Sequence, residues 1–183
     1  MIELASAKSS AGPLFLVGDM VALPFRDASF DLVTTGYGLR NVPDLTAAVD
    51  EMLRVLKPGG RVVVVDRDWG MVAVDASDVE TTRAVLNRAC TGILNGRIGR
   101  RLYGLFKNAG VINAEVQTKS ISINSFAVAD TLLDLRVVLG HAIAEKLVNQ
   151  HVGAKWLNDL LERDAARNFC AMVTIYIVSG TKK

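Results

Sequence analysis

Residues 30–66 hold the pattern that most narrows the choice of fold. FDLVTT (Phe30 to Thr35) is a short apolar run with strand character, and it runs into Gly36. Asp44 then stands as a cap before Leu45, Ala48, Val49, Met52, Leu53 and Leu56, whose i, i+3, i+4 spacing gives a helix one apolar face. Lys57-Pro58-Gly59-Gly60 predicts the stop, because proline cannot extend a helix and glycine tolerates left-handed geometry. RVVVVD (Arg61 to Asp66) follows, a continuous β-branched run of the kind found in strands covered on both faces. Strand, helix and strand in that order predict a right-handed βαβ unit with parallel strands, and so an α/β, Rossmann-like fold.

The flanking segments extend this reading. Residues 2–9 are helix-compatible and closed by Gly12-Pro13, and Leu14 to Val17 reads as a brief strand ending at Gly18-Asp19. Downstream, helices are expected over Asp78 to Ile93 and Ile98 to Ala109, and an alternating strand over Glu115 to Ile123. Phe126 to Arg167 looks helical, broken near Gly140 and Gly153, with a last strand from Cys170 to Val178 before a basic tail. A chain of 183 residues fits one domain better than two. Its 50% hydrophobic content and mean hydropathy of +0.29 point to a well-buried sheet, an oligomer, or both.

Charge excludes some functions. Lys+Arg 21 against Asp+Glu 19 gives a net charge of +2, which argues against a dedicated nucleic-acid surface. The basic cluster RIGRR (Arg97 to Arg101) reads as the solvated start of a helix, since no aromatic residues are interleaved before it. Cys90 and Cys170 lack metal-ligand spacing and are expected to be reduced thiols. The start, MIELASAK, lacks a signal-peptide pattern, and no segment is apolar for long enough to span a bilayer, so a cytoplasmic protein without stable membrane insertion is expected.

A doubly wound sheet binds its ligand at the carboxyl ends of its strands, which directs attention to Gly18-Asp19, Gly36 to Asn41 and Asp66 to Trp69. A dinucleotide fingerprint starting at Gly36-x-Gly38, with Asp66 on a ribose, fails on detail. Asn41 replaces the third glycine and Pro43 separates the glycines from the helix, so no phosphate-presenting turn sits on a helix N-terminus.

The combination GDMVALPFRDASFDLV, GLRNVPD and EMLRVLKPGGRVVVVD resembles the class I S-adenosylmethionine-dependent methyltransferases of type 11, and GLRNVPD is similar to the ubiquinone and menaquinone C-methyltransferases. The likeness is tight up to residue 66 and looser beyond, where residues 126–168 correspond to a helical insertion covering the substrate side. It implies S-adenosyl-L-methionine as cofactor and a small-molecule acceptor, such as a quinol or another apolar ring. It implies too that Asp19 accepts from the adenine amine with the Met20 amide beside the ring, and that Gly36, Tyr37 and Gly38 lie along the methionine part. Arg40 and Asn41 would then face the acceptor. For Asp19 the residues themselves leave open a plain turn-capping role. Methyl transfer asks mainly for alignment and sometimes for removal of a proton. His141 and His151, both in the insertion, are the histidines available for that, with helix packing or solvation as the plainer reading of each.

In this family the first strand, the glycine-rich loop, the first helix and the second strand precede the point that Met1 matches. The resemblance therefore implies a start at an internal methionine, a class I sheet lacking its first two strands, and weak or absent cofactor binding. In the family order 3-2-1-4-5-7-6, that loss bares FDLVTT and leaves LFLV (Leu14 to Val17) without its neighbour. A bare apolar strand predicts a homodimer through FDLVTT or an exchanged LFLV. A non-catalytic remnant serving as a dimerisation module is the alternative.

Overall fold

The computed structural model describes residues 15–183. Strand β1 (Phe30–Gly36) leads through a 3-10 turn at Leu39–Asn41 into helix α1 (Leu45–Val55), and β2 (Leu56–Arg67) follows directly. A second 3-10 turn (Trp69–Met71) and a two-residue β3 (Ala73–Val74) come next. Then follow α2 (Val79–Thr91), α3 (Ile98–Asn108) and β4 (Ile112–Ile123). Helices α4 (Phe126–Leu133), α5 (Leu135–Ala144) and α6 (Gln150–Ala165) precede the last strand, β5 (Ala171–Thr181).

The expected βαβ unit is present. β1 and β2 pair in parallel, from Leu32 opposite Arg61 to Gly36 opposite Val65. Asp44 caps α1 by accepting from the Ala47 amide at 2.9 Å. β5 returns antiparallel against β2, and β4 lies antiparallel on its far side, giving β1-β2-β5-β4 across the sheet with β3 on the end of β5. This is the 4-5-7-6 part of the order that the resemblance implies.

Several boundaries differ from expectation, each for a local reason. α1 ends at Val55, and Leu56 already pairs with Phe30, so Lys57 to Gly60 form a bulge inside β2 rather than a helix stop. Gly59 takes φ +74°, its amide donates to the Lys182 carbonyl at 3.0 Å, and the Lys182 amide donates back to Gly60 at 2.9 Å. The chain end thereby seals the bulge and carries β5 on to Thr181. The helical segment breaks at Asp134, which is left-handed at φ +51°, and again between Ala144 and Gln150. Gly140 and Gly153 lie inside helices instead. A Cβ on Gly153 would stand 3.0 Å from the Cδ1 atoms of Leu139 and Ile143, so this glycine lets α5 and α6 approach.

Val62 and Val64 are fully buried beneath α1 and α3, whereas Val63 and Val65 on the opposite face are only half-buried. Among the described residues β2 is thus fully covered on one face, not on both. The expected strand over Leu14 to Val17 does not form in its described part: Phe15 to Val17 are irregular, and Val17 is 83% exposed. An isolated extended segment has no ladder to satisfy its backbone and stays in water. Leu14 and the expected helix over 2–9 lie outside the described residues.

The apolar interior has two parts. One packs α1 and α3 on the sheet around Val49, Leu56, Leu102 and Phe106. The other packs α2 and α4 to α6 over the opposite end around Trp156, Phe126, Phe169 and Leu139, and includes Trp69.

Candidate functional site

Helix α1 fixes the first loop of the site. Arg54 donates to the carbonyls of Phe25 and Leu23 at 2.9 and 3.1 Å and pairs with Asp27 and Glu51, while Glu51 accepts from the Leu23 amide at 2.7 Å. The hydrogen bond from the Arg54 guanidinium holds the Glu51 carboxyl below the usual carboxylate range. Upstream of this clamp, Asp19 forms a tight turn. Its Oδ1 accepts from the Val21 amide at 3.0 Å and the Ala22 amide donates to its carbonyl at 3.1 Å. Asp19 is exposed, and among the described residues its Oδ2 accepts no hydrogen bond. The turn-capping role is therefore real, and it leaves one carboxylate oxygen free.

Met20 closes the distance to the next strand end. A Cβ on Gly38 would lie 3.3 Å from Met20 Sδ and 2.9 Å from Thr35 Oγ1, so only glycine fits without displacing one of them. Around Gly36 the corresponding space is open. Between the two glycines Tyr37 adopts φ +59°, a left-handed conformation that costs a non-glycine residue about 1 kcal/mol or more. It is held by its amide, which donates to Val65 at 2.8 Å, and by guanidinium groups over its ring, Arg40 at 5.2 Å and Arg67 at 5.8 Å.

Buried acids at the end of β2 organise these cations. Asp66 is fully buried and accepts from Arg40 Nη1 at 3.2 Å and from the Arg67 amide at 2.9 Å. That occupancy removes it from any ribose-gripping role. Arg67 donates to the Leu132 carbonyl at 3.0 Å, tying the sheet to α4, and stacks on Trp69 at 4.6 Å. Burial, followed by repulsion from Arg40, lowers its pKa from the ordinary arginine value. Asp68, fully buried, receives Arg100 through Nε at 2.7 Å and Nη2 at 2.8 Å. Within RIGRR, Arg100 is therefore a structural partner of a buried acid rather than part of a wholly solvated face.

A cavity of about 390 Å³ opens beside these groups, lined by Arg40, Asn41, Trp69, Leu133, Val137 and His141 among others. The structure thus brings Arg40, Asn41 and His141 to one place, with the insertion forming the far wall. His151 is exposed in the first turn of α6, its amide donating to Asn149 Oδ1 at 2.9 Å, and it does not line this cavity. Arg67 and Trp69 lie in the Asp66 to Trp69 stretch that the strand-end argument pointed to, but the sequence alone assigned neither a role. The signal was the alternation Asp66-Arg67-Asp68-Trp69 directly after a β-branched strand, where charges meet the interior. Among the described residues, no group of three His, Cys, Asp or Glu side chains is placed to hold a metal, and no helix is long and apolar enough to cross a membrane.

Residues 5–75 match the model of the ubiE/COQ5 methyltransferase family. A demethylmenaquinone methyltransferase of Lactococcus lactis is 51% identical over 70 residues, 36% of this chain and 28% of that protein. The chain has the class I methyltransferase fold and is similar in sequence to that family over residues 5–75. Along nearly its whole length, the chain is similar to a 37.1 kDa protein of transposon TN4556 from Streptomyces fradiae, at 33% identity over 181 residues, 97% of this chain and 51% of the relative. The fold is shared with the YcgJ protein of Bacillus subtilis, at a TM-score of 0.61 and 20% identity, covering 100% of this chain and 78% of that one. The chain spans about half the length, or less, of these curated relatives. S-adenosylmethionine is the methyl donor of that family, and two features fit it among the described residues: the open backbone at Gly36 and the Asp19 oxygen that accepts no hydrogen bond.

Proposed function

We propose that the chain forms the adenine-facing and acceptor-facing parts of an S-adenosylmethionine-dependent methyltransferase acting on a small molecule, such as a quinol or another apolar ring. The observation that carries this reading is the grouping of open Gly36, strained Tyr37 and close-packed Gly38 against Met20, with the Tyr37 ring beneath the guanidinium of Arg40, which lines a cavity together with Asn41 and His141. The family match and this cavity together favour an enzyme over a non-catalytic dimerisation module.

In this reading Asp19 Oδ2 accepts from the adenine amine, and the backbone from Gly36 to Gly38 lies along the methionine part. When bound, the cofactor supplies a methyl group already activated by a positive sulfonium. What the chain adds is alignment. Arg40, fixed by Asp66, and Asn41 orient the acceptor, the apolar wall of Leu133 and Val137 excludes water, and His141 takes a proton from acceptors that release one.

Affinity for the cofactor is expected to be weak, because in this reading Asp19 Oδ2 makes the one ionic hydrogen bond to it among the described residues, and such a bond is worth about ten- to a hundredfold in binding. Saturation-transfer NMR with S-adenosylhomocysteine suits this regime. Saturation should reach the adenine protons, and Asp19→Ala should abolish it; an adenine signal unchanged by that substitution, or micromolar binding by calorimetry, would contradict the proposal.

The proposed protein partner is a second copy. Among the described residues β1 is the outer strand of the sheet, with Leu32 54% exposed beside an apolar groove of about 430 Å³ that includes Phe25, Phe30 and Met52. Antiparallel pairing of two β1 edges satisfies their backbone groups about a twofold axis. Light scattering should give twice the chain mass, falling to one on Leu32→Lys; a monomer at micromolar concentration would rule this out.

A further inference from the structure

The turn after β2 has a second side. Between Trp69–Met71, helix α2 and the start of α3 lies another hollow of about 400 Å³, lined among others by Arg83, Asn87, Cys90, Arg97, Arg100 and Trp69. Its charge is one-sided. No acidic residue lines it; Arg100 is offset by Asp68 behind it, whereas Arg83 and Arg97 pair with no carboxylate among the described residues. Three guanidinium groups around one hollow repel one another unless an anion stands between them.

The second observation is independent of charge. Trp69 is only 9% exposed, and its indole Nε1–H is the buried side-chain polar group with no hydrogen-bond partner among the described residues. A buried donor left unmatched is costly, and Trp156 shows the usual solution, donating to Thr82 Oγ1 at 2.8 Å. Trp69 is the shared wall of this hollow and the acceptor cavity. Its free N–H and the guanidinium groups all call for an acceptor. Planar guanidinium forks in particular match the paired oxygens of phosphate or carboxylate.

We propose that this hollow binds the phosphate or carboxylate group of a small molecule, with Arg83 and Arg97 as its principal ligands and the Trp69 indole as an added donor. The proposal does not rest on the methyl-transfer reading. It gives RIGRR a role beyond solvation: Arg100 anchors the turn through Asp68 while Arg97 faces the ligand.

The chain's two tryptophans make the test direct, since each gives one indole N–H resonance. Inorganic phosphate and, separately, malonate are titrated into the full chain against sodium chloride of equal ionic strength, with Trp69→Phe assigning the signals. A saturable shift of the Trp69 signal, with that of Trp156 unmoved, is expected for one or both anions, and the responding anion identifies the class. The double variant Arg83→Ala/Arg97→Ala should weaken binding at least about tenfold, with Arg97→Lys in between. Both arginines are exposed, and an unmoved Trp156 signal in each variant verifies the fold. An equal response to chloride, or a double variant that binds like the parent, overturns the proposal.

Discussion

Replacing Trp156 with alanine should lower the stability of the chain by about 4 kcal/mol, within the usual range for a fully buried tryptophan. The side chain is 1% exposed and stands at the centre of the interior formed by α2 and α4 to α6. Two losses combine. The truncation opens a cavity that rigid helices close only in part, and Thr82 Oγ1 loses the indole donor that reaches it at 2.8 Å. Thr82 in turn donates to the Asp78 carbonyl at 2.6 Å, so the perturbation reaches the first turn of α2. For a chain of this size, 4 kcal/mol corresponds to about 8–16 °C in Tm. Trp156→Phe keeps most of the volume and should cost about half as much.

Hydrogen exchange gives this prediction a sharper form. Because the two apolar clusters are separate, loss of Trp156 should speed exchange in α2 and α4 to α6 while leaving β1, β2 and α1 near their parent rates. Uniform acceleration across both clusters would show that the insertion and the sheet open as one unit.

What was legible in the sequence follows from which interactions are local. The α1 face was readable because helical spacing is written in consecutive turns, and β1 and β2 because their apolar runs are short and bounded. The Lys57 to Gly60 bulge was not, because its hydrogen bonds go to Lys182, far along the chain. Gly153 misled for the same reason: a glycine that breaks a helix and one that lets two helices touch look alike until the partner helix is known, whereas Gly140 has no atom within reach of a Cβ among the described residues and is simply tolerated inside α5. At the site, the family motif brought Asp19, Arg40 and Asn41 forward, but the stack of Arg40, Tyr37, Arg67 and Trp69 depends on β2 ending beside β1. One-sided burial of β2 was likewise out of reach, since a β-branched run reports strand propensity and not the number of layers packed on it.

Asp68 is the residue whose loss should damage the site most. Its carboxylate accepts four hydrogen bonds: Nε and Nη2 of Arg100, the Arg100 amide at 3.1 Å and the Gly70 amide at 2.9 Å. One side chain thereby joins the end of β2, the Trp69 turn and the first turn of α3, where the helix dipole also favours a negative charge. The same carboxylate is the first cause of the raised pKa of Arg100. Removing one member of a buried ion pair commonly costs 3–5 kcal/mol, roughly, because the other charge is stranded. Here Arg100 remains 44% exposed and regains water, so Asp68→Ala should fall near the lower end, about 3 kcal/mol, or about 6–12 °C in Tm. Arg100→Ala should cost at least as much as Asp68→Ala, since it strands a fully buried carboxylate with only its two amide donors. The double variant should be milder than the sum of the singles, the mark of a direct pair in a thermodynamic cycle. Thermal unfolding of the four proteins checks this, and additive losses would mean that the pair is incidental. The Trp69 indole resonance supplies a local readout: it should move in Asp68→Ala, because the turn carrying that ring is held from beneath by this carboxylate, and both cavities that share the ring should change shape with it.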